Sequence, residues 1–375
     1  MAHLARPKRA ARGLLIESVK AIANQSELPS IPIDLEPYWV DCALFSGLGP
    51  LIAHKLLDVG TAVPAELADS IRPAAAMHLL HLAVLRIIRN ALDAAGVRWL
   101  VFKGPAVAEQ FYEAPSARTY SDLDILIHPA DFERGLTALL QGPARLIDQN
   151  WFLISEREQG EITLAIGATV IDLHWHFFSS ALTRSTFQLD ICRTFDHACT
   201  TTLGGVEMTV LDTADTVIFL ATHAVLSGGH RLKWMFDFHC AAASLNVPND
   251  VIRKRIREYN VELLVSVMAS RTAAFLGTDA PVEHGHHPWL ALSRLASRAA
   301  PPESEFLNAY TARALFSATR TSTRNSVVQF VRNAVRLART GSNRRSHVVD
   351  RSILHLPGGT EADRRRWLDM VASHG

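Results

Sequence analysis

Residues 97–128 read VRWLVFKGPAVAEQFYEAPSARTYSDLDILIH, and the fold turns on how this stretch is parsed. The pattern predicts a strand over 97–102, a tight turn at Lys103 and Gly104, a short helix over 105–112, a polar loop and a second strand over 122–128. On that second strand Asp122 and Asp124 stand two residues apart and so share a face. Leu123, Ile125 and Ile127 take the other face, which becomes core. Two neighbouring carboxylates repel each other, and a cation between them removes that cost. Hard oxygen ligands favour Mg²⁺, with Mn²⁺ as the alternative. Gly104 lets backbone approach a bound group closely, Lys103 is a natural phosphate partner, and the helix start after Gly104 offers N–H groups to an anion. Arg118 and Ser121 lie just ahead of the acidic pair. Metal carboxylates opposite a phosphate-binding turn point to phosphoryl or nucleotidyl transfer.

Working outward, residues 170–177, VIDLHWHF, predict another strand that places Asp172, His174 and His176 on one face. Asp172 is a third acid in an apolar setting, and three carboxylates suffice for two Mg²⁺ ions. A helix is expected over 129–141, and short strands over 144–154 and 162–166, with a polar turn at 155–161 between them. On the N-terminal side the periodicity is helical. Residues 38–57 carry apolar positions that Gly47, Gly49 and Pro50 split into two helices, Pro64 opens another, and 79–92 has a helix-period stripe ended by Gly96. After residue 180 the pattern returns to helix. A last strand near 208–211 is followed by a helix over 213–226 capped by Asp212. Further helices are expected over 231–245, 260–276, 289–299, 303–319, 323–340 and 363–374. The expected fold class is α/β (α+β): a small mixed sheet with helices over 96–211, an N-terminal helical region over 1–95, a helical domain closing the cleft over 212–280 and a helical tail over 281–375.

Composition narrows the field. With 375 residues, 48% hydrophobic and 20% charged, the chain can bury a substantial core. A net charge of +1 argues against a generally basic nucleic-acid binder. Nucleic acid is not indicated, although tRNA stays open as an acceptor. Cys42, Cys192, Cys199 and Cys240 form no C-x-x-C pair and read as free thiols. The basic N-terminus (Arg6, Lys8, Arg9, Arg12) precedes no uninterrupted apolar segment. No apolar run reaches the length of a membrane span, so the expectation is a cytoplasmic protein without a membrane partner.

The segments FKGPAVAEQFY, RTYSDLDILIH and VIDLHWHF together resemble the nucleotidyltransferase superfamily. They are most similar to an uncharacterised nucleotidyltransferase-like family with a Lys-Gly turn, an R-x-x-S-D-L-D strand and a DLHW strand, over about residues 35–245. The resemblance implies Mg²⁺-dependent transfer of a nucleoside monophosphate from an NTP, such as ATP, to an acceptor hydroxyl on a small molecule, peptide or protein. It makes Asp122, Asp124 and Asp172 the catalytic and metal-holding acids. Lys103, Gly104, Arg118, Ser121, Arg231 and Lys233 are the nucleotide and phosphate candidates, and His174, His223 and Asp237 are cleft candidates. One departure stands out: Pro105 follows the turn glycine and carries no N–H, where the superfamily has Gly-Gly or Gly-Ser.

Two other readings stay open. Pro105 favours a catalytically silent nucleotide- or partner-binding protein. His174 and His176 beside Asp172 would suit a metal-dependent phosphohydrolase. Farther on, Arg320, Arg324, Arg332, Arg336 and Arg339 stripe a helix around Val327, Val328, Val331 and Val335, which reads as a solvated face.

Overall fold

The structure is a computed structural model that describes residues 2–277, 287–304, 307–339 and 352–375. The basic segment over 341–346 lies outside the described residues, as do the side chains of Arg336 and Arg339. The chain divides into two compact units: residues 1–76, 110–119 and 216–338 form a helical unit, and residues 77–109, 120–215 and 339–375 form a sheet unit.

The sheet unit holds one mixed sheet. Its strands are β1 (Trp99–Val101), β2 (Asp122–Ile127), β3 (Arg145–Leu146), β4 (Glu161–Ile166), β5 (Thr169–His174), β6 (Cys199–Leu203) and β7 (Val206–Val210), in the order β3-β4-β5-β2-β1-β7-β6. β2 runs parallel to β5 and antiparallel to β1, and β4 pairs antiparallel with β5. Alternation decides which face is which. Leu123, Ile125, Ile127, Ile162, Leu164, Ile171 and Leu173 are all fully buried in one core cluster. Helix Phe132–Gln141 adds Phe132, Leu136 and Leu139, and helix Glu361–Ala372 adds Trp367, Leu368 and Val371. Each such side chain contributes roughly 1.5–3 kcal/mol by leaving water. Trp367 is fully buried and its indole donates to Gln159 O at 2.9 Å, so the last helix is part of this core. The opposite face of β2, β4 and β5 carries the polar residues, with Leu126, Ala165 and Val170 among them.

Several expectations change at this level. The segment over 144–154 is a two-residue strand followed by helix Trp151–Glu156, because Asn150 caps that helix by accepting from Leu153 N at 3.2 Å. β6 was not expected. It pairs with β7 through Gly204 and Gly205, both at positive φ (55° and 78°), the backbone a two-residue hairpin turn of this hand requires. β5 stops at His174: Trp175 N and His176 N both donate to Gly160 O, which turns the chain out of the ladder.

The helices expected after Pro64 and over 79–92 are one helix, Ala65–Ala94, with Pro73 inside it. By length and composition this helix is long and apolar enough to cross a membrane. Its apolar residues are interrupted by polar ones such as His78, His81 and Arg86, so no uninterrupted apolar run marks it in the sequence. Leu82, Val84, Leu85, Ile88 and Leu92 of this helix are core residues of the sheet unit.

In the helical unit, helix Ala2–Ala23 packs against helices Glu36–Phe45 and Glu262–Leu276. Leu15, Trp39, Ile52, Leu264, Trp289 and Phe316 are among its buried residues. The split expected over 38–57 is present, as helices Glu36–Phe45 and Gly49–Asp58.

Candidate active site

The polar face of the sheet unit is built by register. Asp124 stands directly opposite Asp172 in the β2–β5 pair, Asp172 opposite Thr163, and His174 opposite Glu161 in the β5–β4 pair. Residues opposite each other project to the same side, so Asp122, Asp124, Asp172, His174, Thr163 and Glu161 share one face. Asp124, Asp172 and His174 each offer a ligand atom, and these atoms all lie within 4.8 Å of one another. His174 Nε2 is 3.4 Å from Asp124 Oδ1, and His174 Nδ1 is 2.8 Å from Glu161 Oε2. Thr163 donates to Asp172 Oδ1 at 3.0 Å. Lys103 Nζ lies 3.5 Å from each carboxylate oxygen of Asp124.

The electrostatics follow from that crowding. Burial lifts the Asp172 carboxyl to about 6; His174 opposes the lift, and the nearby Asp124 and Asp122 reinforce it. Four acids (Asp122, Asp124, Asp172 and Glu161) thus share one face with one lysine and one histidine. Two aspartates and an imidazole within a few ångströms are a donor set that fits a divalent cation. Asp122 shares the face and acts on Asp172 electrostatically, but it is not one of the three clustered ligands.

Beside this face runs a network that the sequence reading did not single out. His78 contacts Tyr120 Oη at 2.6 Å through Nδ1 and Glu109 Oε1 at 2.8 Å through Nε2, so the segment entering β2 is tied to helix Ala65–Ala94. Gly104 has φ 54°, and a side chain there would meet Asp122 O at 3.3 Å and the Tyr120 ring at 3.4 Å. Glycine at this position lets the turn lie against β2.

The turn itself departs from the phosphate cradle expected of it. Pro105 has no N–H, and the Ala106 N–H donates to Lys103 O at 3.1 Å. The helix that follows, Pro105–Phe111, is only seven residues long. Ser121 is exposed.

The remaining candidates belong to the helical unit. Arg118 is buried, and its Nε and Nη2 donate to Asp237 Oδ1 and Oδ2 at 2.7 and 3.0 Å. The Tyr112 hydroxyl also donates to Asp237 Oδ1, at 2.6 Å. Burial alone would raise the Asp237 carboxyl; the Arg118 guanidinium, the Tyr112 hydroxyl and the charge of Lys233 more than reverse this and hold it below the usual range. Lys233 Nζ donates to Thr119 O at 3.0 Å, and Thr119 Oγ1 donates to Gly47 O at 2.8 Å, which fixes residues 110–119 inside this unit. Arg231 pairs with Glu303 at 3.5 Å. His223 meets the Phe219 and Trp234 rings.

His176 corrects the expectation that it shares a face with Asp172. Its Nδ1 accepts from Phe178 N at 3.0 Å, and burial, helped by Arg184, pushes its imidazole down to about 3. It lines a cavity of about 390 Å³ with Trp175, Arg184 and His374, and none of the strand acids lines that cavity. Among the described residues the clustered donors include His174 and not His176. Glu161, conversely, was placed in a turn. The alternation in EITLAI, polar at 161 and 163 and apolar between, is the signal that puts it on β4 facing His174.

A family model described as an uncharacterised nucleotidyltransferase matches residues 38–277. The chain belongs to this family. Within the nucleotidyltransferase match lie the whole sheet and every acid of the polar face. The solution structure of the antibiotic-resistance factor ANT(2'')-Ia is also similar, at 11% identity, covering 48% of this chain and 93% of that one, with a TM-score of 0.35. A likeness that shallow carries no argument about chemistry. Among curated proteins none matches the chain.

Proposed function

We propose that the chain transfers a nucleoside monophosphate from an NTP to an acceptor hydroxyl, with Asp124 and Asp172 as the central pair. The observation that carries this reading is their register: two acids opposite each other on neighbouring parallel strands, on the sheet face that is not core, in a nucleotidyltransferase-family chain. Asp124, Asp172 and His174 would hold a divalent cation, with Asp122 beside them. Such an ion, when bound, supplies charge neutralisation for the triphosphate and acidifies an acceptor hydroxyl.

The chain's own groups divide the remaining work. Asp172 would also accept the hydroxyl proton of the acceptor. Thr163 orients that carboxylate. Lys103, on the Asp124 side, is the cation placed to meet the leaving pyrophosphate. Gly104 keeps the turn low against β2 so that a phosphate can approach. The acceptor is a small molecule, a peptide or a protein.

The test is transfer of label from [α-³²P]NTP to candidate acceptors with a divalent cation present. Transfer is expected from the native chain and lost in Asp124→Asn and Asp172→Asn. Transfer that survives both substitutions refutes the assignment. A second reading, a nucleotide-binding protein without turnover, is favoured by the Lys103–Asp124 contact and by the donor-poor turn at Pro105. It predicts saturable NTP binding by calorimetry with no label transferred.

A further inference from the structure

We infer that Glu161 and His174 turn the acidic pair into a mixed nitrogen–oxygen centre that selects a first-row transition cation, Mn²⁺ being the probe, over Mg²⁺. The inference rests on the reading of Asp124 and Asp172 as the metal-holding pair, and goes beyond it in the identity of the ion and in the role of Glu161. His174 sits at the end of β5 with 7% of its side chain exposed, and both of its ring nitrogens are buried and make no hydrogen bond among the described residues. Asp124 Oδ1 lies 3.4 Å from Nε2. Two ligand atoms each about 2.1 Å from one ion, at angles from about 90° to tetrahedral, stand roughly 3.0–3.4 Å apart. The spacing is that of two ligands to a common ion.

The other ring nitrogen faces a carboxylate. Glu161 is buried, opposite His174 in the β4–β5 register, with Oε2 2.8 Å from Nδ1. A carboxylate this close to one ring nitrogen favours a proton there and leaves the far nitrogen to the metal. Glu161 is in this sense a positioning residue. Both partners stand on paired strands, so the aim is set by the sheet and not by a loop.

The chemistry of the set then chooses the ion. Mg²⁺ prefers an all-oxygen octahedron and gives up its water reluctantly. Imidazole favours the later divalent ions of the first row. The competing account is a protonated His174 acting as an internal cation between Glu161 and Asp124, with no nitrogen on the metal.

Pulsed electron paramagnetic resonance on the full chain, stripped of metal and loaded with Mn²⁺, separates the two. The inference predicts ¹⁴N modulation from a directly bound imidazole in the native chain and its loss in His174→Gln, a variant that keeps volume and an oxygen donor. It also predicts that Mg²⁺ displaces Mn²⁺ only at roughly hundredfold excess or more, and that Glu161→Gln keeps the ¹⁴N signal while weakening Mn²⁺ binding about 10–100-fold. Mn²⁺ bound without ¹⁴N modulation, or displaced by equimolar Mg²⁺, overturns the inference and leaves the acidic pair intact. Mn²⁺ that fails to bind, or binds equally well to Asp124→Asn, overturns the underlying site as well.

Discussion

In the helical unit Arg118 and Asp237 meet as a closed pair: two charge-assisted hydrogen bonds, a third from Tyr112, and a carboxyl held below its usual range. In the sheet unit Asp122, Asp124, Asp172 and Glu161 share Lys103 and His174, and Asp172 is lifted to about 6. Both clusters are built from carboxylates on buried or half-buried backbone. The first neutralises itself and asks for nothing further. The second keeps an excess of negative charge on a rigid sheet, which is costly unless a cation shares it. Buried charge therefore has two meanings in this molecule, and the local sum of charges tells them apart.

That contrast can be broken in order of expected effect. The largest is catalytic: Asp172→Asn should lower label transfer at least about a thousandfold, the scale of losing an interaction made in the transition state. Circular dichroism should show the fold retained. Next is Asp237→Ala, which strands a buried Arg118 and should cost about 3–5 kcal/mol of stability in urea unfolding. Smaller is Tyr112→Phe, which removes one hydrogen bond to a charged group and should cost about 1.5–3 kcal/mol. An Asp237→Ala protein as stable as the native one would show that the closed cluster is not closed.

The smallest effect is a pH dependence of the helical unit. Burial, with Arg313, Arg231 and Arg271 nearby, pushes the His230 imidazole down to about 3. The unfolded chain, with an ordinary histidine near 6.5, then takes up a proton that the folded chain refuses. Stability from this group is full above about pH 6.5 and is lost as pH falls toward 3. After allowance for solvent screening the slope is at most about 1 kcal/mol per pH unit. Urea unfolding of His230→Phe at pH 7 and pH 5 should show a smaller acid loss than the native chain.

Legibility in the sequence followed the range of the deciding contact. β2 was readable because alternation in DLDILI is local, and that alternation put Asp122 and Asp124 on one face. β5 was readable up to His174; its end is set by Gly160 O, which lies on a different strand connection. β6 went unseen although Gly204 and Gly205 mark a hairpin, because CTTTL is polar and mostly exposed and lacks an apolar face. Arg118 and Lys233 looked like phosphate cations in the sequence. Their partners, Asp237 and Thr119, lie more than a hundred residues away in the chain and reach them only through the fold. Glu161 was hidden for the same reason: what defines it is the register with His174.

The central claim is that the sheet unit's excess of carboxylates seeks a cation and the helical unit's balanced pair does not. Thermal unfolding with and without a divalent cation tests it most directly. The native chain should gain about 2.7 kcal/mol at a hundredfold excess of Mn²⁺ over its Kd, seen as a rise of several degrees in Tm. Asp124→Asn and Asp172→Asn should show no rise, while Tyr112→Phe, melting lower, should show the full one. A rise in the two sheet-unit variants equal to the native one, or no rise in the native chain, would contradict the account.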